Sequence, residues 1–119
     1  MQILIVDDSK AMRMIVSRTL RQAGCDEDFL QAANGVEALE VISKTPPDLI
    51  FCDWNMPQMN GIDLLKELRS QGNSVEFVFV TSEGTEEIRE LALGAGASKV
   101  ITKPFTPEDF QQALESVTV

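Results

Sequence analysis

The sequence predicts an α/β fold: a doubly wound parallel sheet of five strands with five helices on its two faces. Three observations predict it. Short, near-continuous apolar runs rich in branched and aromatic residues recur along the chain, as in strands covered on both faces. Between them the apolar residues fall at spacings of three and four, the period of a helix with one buried stripe. The two patterns alternate β-α five times, the order that right-handed crossovers build into a parallel sheet.

"ILIV" at 3–6 reads as the first strand. From Ser9 a helix carries Met12, Ile15, Val16, Leu20 and Ala23 on one face and ends near Gly24. "DFLQAA" at 28–33 is a weaker second strand, followed by a helical stripe of Ala38, Leu39 and Ile42 that stops before Pro46 and Pro47. "LIFC" at 49–52 is the third strand, with Ile62, Leu65 and Leu68 marking the helix after it. "VEFVFV" at 75–80 is the fourth, followed by Ile88, Leu91, Ala92 and Ala95. "KVIT" at 99–102 is the fifth. Thr106 then reads as an N-cap, with Pro107 in the first helical position, acidic residues at 108 and 109, and Phe110, Ala113, Leu114 and Val117 on the apolar face.

One domain, 1–119, accommodates all of this, because a chain of 119 residues is close to the commonest size of a single core. Nineteen acidic residues against ten basic ones leave a formal charge of −9, which repels phosphodiester backbones and argues against direct nucleic-acid binding. Cys25 and Cys52 stand 27 residues apart and form no CxxC pair; Cys25 is expected in a loop and Cys52 as a buried, inert thiol. No apolar stretch approaches the roughly 18 residues of a membrane span, and the chain starts directly on a strand-like segment. A cytoplasmic monomer without membrane contact is expected.

In open sheets of this kind, ligands bind beyond the carboxyl ends of the strands. Those positions hold Asp7 and Asp8, Asp53, Thr81 and Lys103. Three clustered carboxylates repel one another by about 4 kcal/mol per pair at 4 Å and an effective dielectric near 20, so a cation must offset them. Lys103 supplies part of that charge, and a divalent ion suits the rest. Magnesium fits an all-oxygen set, whereas a chain with no histidine and no suitably placed cysteine argues against zinc or copper. Asp53 would then be free to attack phosphorus and form an aspartyl-phosphate.

Each group also has a plain structural reading. Asp8 or Ser9 can cap the first helix, Asp53 can begin a turn into "NMPQMNG", and Thr81 can cap a helix. Lys103 before Pro104 is the hardest to explain this way. The coincidence of complementary groups at four strand ends favours a site over four unrelated caps.

From "ILIVDDS" through "DWNMPQMNG" and "VTSEG" to "GAGASKVITKPFT", the chain resembles response-regulator receiver domains, and among them most closely the stand-alone chemotaxis members. The resemblance covers essentially the whole chain. It implies the flavodoxin-like strand order 2-1-3-4-5 and a phosphorylation-activated switch rather than a turnover enzyme. It also implies Asp53 as phosphoacceptor and Mg2+ bound by Asp8, Asp53 and the main-chain carbonyl of Asn55, with Asp7 acting through water. Thr81 and Lys103 would bind phosphoryl oxygens, and the Lys103–Pro104 bond would be cis. A histidine kinase would be the phosphodonor. The surface of the fourth helix, fifth strand and fifth helix would change for an output partner, as a population shift between two states.

The family usually has an aromatic residue three positions before the lysine. Here that position is Val100, which implies a reduced or altered switch. Asn55 and Glu83 stand where related receivers tune dephosphorylation, against the plain reading of two solvated side chains. Trp54 is expected as a partly exposed loop residue rather than a core anchor. Output through a flagellar motor component or a phosphotransfer protein follows if Val119 is the natural end, and another output if the chain is part of a longer regulator.

Two other functions share the strand-end pattern. A haloacid-dehalogenase-type phosphohydrolase needs a second aspartate two residues after its nucleophile, where this chain has Asn55. A flavin carrier needs a Ser/Thr-rich phosphate loop after the first strand, where this chain has "DDSKAM".

Overall fold

The computed structural model describes residues 1–26 and 28–115. Among them the order is β1 (Ile3–Val6), α1 (Lys10–Gln22), β2 (Phe29–Ala32), α2 (Gly35–Lys44), β3 (Leu49–Asp53), α3 (Gly61–Ser70), β4 (Glu76–Thr81), α4 (Glu86–Gly94), β5 (Lys99–Thr102) and α5 (Pro107–Glu115). The strands pair in parallel in the order β2-β1-β3-β4-β5. The expected doubly wound five-stranded sheet is therefore present. Val117, expected on the apolar face of the last helix, lies outside the described residues.

Side chains alternate across the sheet and build two cores. Leu4, Val6, Ile50, Cys52, Phe77, Phe79 and Val100 point to one face, where Ala38, Ile42, Leu64, Leu65, Leu68 and Ala92 of α2, α3 and α4 cover them. Ile3, Ile5, Leu49, Phe51, Val78, Val80 and Ile101 point to the other, against Val16, Leu20, Phe110, Ala113 and Leu114 of α1 and α5. Residues 3–6 thus serve both cores, which explains their continuous apolarity. No helix among the described residues is long and apolar enough to cross a membrane.

The helices start on the caps their sequences offer. Ser9, Asn34, Asn60 and Thr85 accept from the amides of Met12, Glu37, Asp63 and Ile88. At α5 the bond runs the other way, with the Asp109 carboxylate accepting from the Thr106 amide at 2.9 Å.

Two side chains depart from the sequence expectations. Ile15 and Leu91 are 44% and 60% exposed, although their spacing suits the buried stripes. In α1 the sheet covers the narrower ridge of Val16, Thr19 and Leu20; in α4 only Ala92 is buried. Cys25 does lie outside the regular elements, between α1 and β2, but its side chain is buried in the second core.

Candidate phosphoacceptor site

The carboxyl ends of β1, β3, β4 and β5 meet at one edge of the molecule and carry the candidate residues. Strand β1 runs directly into Asp7, whose amide donates to the Ala32 carbonyl of β2 at 3.1 Å. The Asp7 carboxylate accepts from the Ser9 amide at 2.9 Å, while the Ser9 hydroxyl caps α1. The cap reading of "DDS" is realised by Ser9, which starts the helix, while the two aspartates before it stand beside Asp53. Oxygens of Asp7, Asp8 and Asp53 all lie within 4.8 Å of one another.

Asp53 is the last residue of β3 and is half-buried. Its Oδ1 accepts from the Trp54 amide at 2.9 Å and lies 3.6 Å from Lys103 Nζ. The same ammonium is 4.0 Å from Asp7 Oδ2. Lys103 follows β5, its amide donates to the Thr81 carbonyl at 2.8 Å, and the Lys103–Pro104 bond is cis. Thr81 ends β4 and is buried, and its hydroxyl accepts from the Glu83 amide at 3.1 Å.

Burial dominates the electrostatics. It pushes the Asp7 carboxyl up to about 6, with Asp53 and Asp8 adding to the rise and the Ser9 amide and Lys103 opposing it. Burial also raises Asp53, against the opposing pull of Lys103 and the Trp54 amide. Among the described residues Lys103 is the one ammonium paired with these carboxylates, and its single charge does not offset three acids. The donors are all oxygens, and Cys52 is held in its neutral form by complete burial, so the set suits a hard cation such as magnesium better than a soft one.

The connection from β3 to α3 turns tightly at Gly61. Its amide donates to the Trp54 carbonyl at 3.0 Å, and a Cβ there would stand 2.3 Å from the Asp53 carbonyl oxygen. Only a glycine lets the helix start so close to the strand end. The side chains of Asn55, Glu83 and Pro104 are exposed around the site, and Val100 is buried. Trp54 is half-buried as a loop residue, but its ring centroid is 4.8 Å from that of Phe79, so it also packs on the core.

Two arginines escaped the sequence reading. Arg13 Nη1 donates to the Asp7 carbonyl at 2.5 Å and its Nε to Gln31 Oε1 at 3.0 Å, tying α1 to β2 around the acidic pair. Arg89 of α4 reaches β5 beside the site. Both look like solvated helix residues in sequence, and no local pattern marks their long-range acceptors.

A model of the response regulator receiver domain matches residues 3–115. The chain is 42% identical over 120 residues to chemotaxis protein CheY1 of Helicobacter pylori, covering 98% of this chain and 96% of that protein. It is 36% identical to chemotaxis protein CheY of Thermotoga maritima, covering 98% and 97%. The solved structure of chemotaxis response regulator CheY4 of Vibrio cholerae matches it with a TM-score of 0.84 at 36% identity, covering 98% and 97%.

Proposed function

The chain belongs to the response regulator receiver family, and from that membership we propose that it is a cytoplasmic phosphorylation switch. Asp53 accepts a phosphoryl group from a histidine kinase, and the changed surface around α4, β5 and α5 is read by a protein partner. The observation that carries this reading is the meeting of three carboxylates, with oxygens within 4.8 Å, and one ammonium 3.6 Å from Asp53. The chemotaxis relatives support a motility pathway.

In the transfer, an Asp53 carboxylate oxygen bonds to phosphorus as the donor's phosphorus–nitrogen bond breaks, and the bonding pair leaves on the imidazole nitrogen. Asp8, Asp53 and the Asn55 carbonyl, with Asp7 beside them, would hold Mg2+, which when bound would supply positive charge to the phosphoryl oxygens. Lys103 holds another of those oxygens and opposes the rise that burial imposes on the Asp53 carboxyl. The Thr81 hydroxyl donates its proton to a third, and its turn toward that oxygen draws it away from the Glu83 amide from which it now accepts. Asn55 and Glu83, exposed at the rim, set how readily water reaches phosphorus.

Fluorescence of Trp54, the single tryptophan and the direct neighbour of Asp53, tests the reading. Titration with Mg2+ and then acetyl phosphate is expected to give two changes, of which Asp53→Asn loses the second. A folded protein that responds to neither addition would rule out the switch.

A further inference from the structure

We propose that Arg89 is a positioning residue, a latch that ties helix α4 to edge strand β5 and releases when the Thr81 loop moves. The proposal rests on the switch reading above for its purpose, but its geometry stands alone. The Arg89 Nη2 donates to Thr102 Oγ1 at 2.9 Å, and its Nη1 to the Val100 carbonyl at 3.4 Å. A planar guanidinium presents two nitrogens in a fixed fork, so it reaches both acceptors in a geometry set in advance, where a lysine would have to serve both from a single nitrogen. Apart from Ala92, α4 buries little: Leu91 and Leu93 are exposed and Ile88 is half-buried. Its attachment to the sheet therefore depends on few contacts, and a two-pronged polar tie is a large share of them.

The latch is also joined to the site. Thr102 pairs in register with Thr81, and the residue after Thr102 donates its amide to the Thr81 carbonyl at 2.8 Å. The loop from Thr81 to α4 is fastened by the Glu83 amide on the Thr81 hydroxyl. Its next residue, Gly84, lies against the Thr102 side chain so closely that a Cβ would stand 2.5 Å from Thr102 Oγ1. When the Thr81 hydroxyl turns away from Glu83, the loop is free to shift against Thr102. The hydroxyl that receives Arg89 is then displaced, and α4 loosens from β5.

The test is hydrogen exchange of the α4 amides in the full, unphosphorylated chain, compared among wild type, Arg89→Met, Thr81→Val and the double variant. Methionine keeps the length of an exposed side chain without its donors, and valine keeps the shape of Thr81 without its hydroxyl. Each single variant is expected to speed α4 exchange about two- to tenfold, the range of one or two ordinary hydrogen bonds. The double variant should exchange no faster than Arg89→Met alone, because both act through one tie. A purely structural Arg89 would give independent effects that multiply. Multiplying effects, or unchanged exchange in Arg89→Met, would overturn the latch.

A second arm adds Mg2+ and acetyl phosphate and follows phosphoryl uptake by intact mass. Absence of uptake would sink the switch reading while the four-protein comparison still decides the latch. With uptake, α4 exchange should rise in wild type and stay level in Arg89→Met; equal rises in both would count against the latch.

Discussion

Asp7 is 4% exposed, and its carboxyl has a pKa of about 6 in the fold against an ordinary 3.8. The folded chain therefore holds a proton more tightly than the unfolded chain. The resulting stability is complete below 3.8 and is lost as pH rises through about 6. At neutral pH the ionised, buried carboxylate destabilises the metal-free fold. Asp7→Asn is expected to raise metal-free stability at pH 7 by on the order of 2 kcal/mol, to flatten its dependence between pH 4 and 6, and to weaken Mg2+ binding. Urea unfolding at pH 5 and pH 7 checks this; equal pH dependence in the variant and the parent would remove the account. Candidate residues at this scale were legible because strand-end positions are special in a parallel sheet. That Lys103 offsets the carboxylates was legible too; that it lies beside Asp7 and Asp53 in particular was not, since this depends on where β5 lies beside β4.

The helices and strands were legible from periodicity and caps, and they form in the expected order. What periodicity misjudged was which part of each stripe the sheet covers. Ile15 and Leu91 fit a helical face by spacing, yet Val16, Thr19 and Leu20 take the contact in α1 and Ala92 takes it in α4. A flanking apolar residue stays in water when the sheet surface beneath the helix is narrower than its apolar arc. The β3–α3 turn shows the reverse dependence, of an element on a single atom. Gly61→Ala is expected to push the start of α3 away from the Asp53 carbonyl and cost on the order of 2 kcal/mol, with slower phosphoryl uptake because Asp53 is displaced too. Thermal unfolding and a phosphorylation time course check both parts; a variant as stable and as fast as the parent would show that the turn relaxes without consequence.

At the scale of the whole molecule, one sheet separates two cores that share strands but no side chains. Ile42 lies in the core under α2, α3 and α4, and Ile101 in the core under α1 and α5. Ile42→Val and Ile101→Val should each cost about 0.5–1.5 kcal/mol, and their double variant should equal the sum within about 0.5 kcal/mol. Denaturant unfolding of the three proteins checks this, and a clear departure from the sum would mean that the sheet transmits packing changes between its faces. The sequence by itself determined the alternating α/β order, the parallel sheet and the residues at its strand ends, because those follow from local period and from position along the chain. It also carried the family signature. Only the tertiary structure decided that Cys25 is buried and Leu91 exposed, that Trp54 packs on Phe79, and that Arg13 and Arg89 reach Asp7 and Thr102. Those contacts join residues distant in sequence or set by the width of a neighbouring surface, and no period within a single segment encodes either.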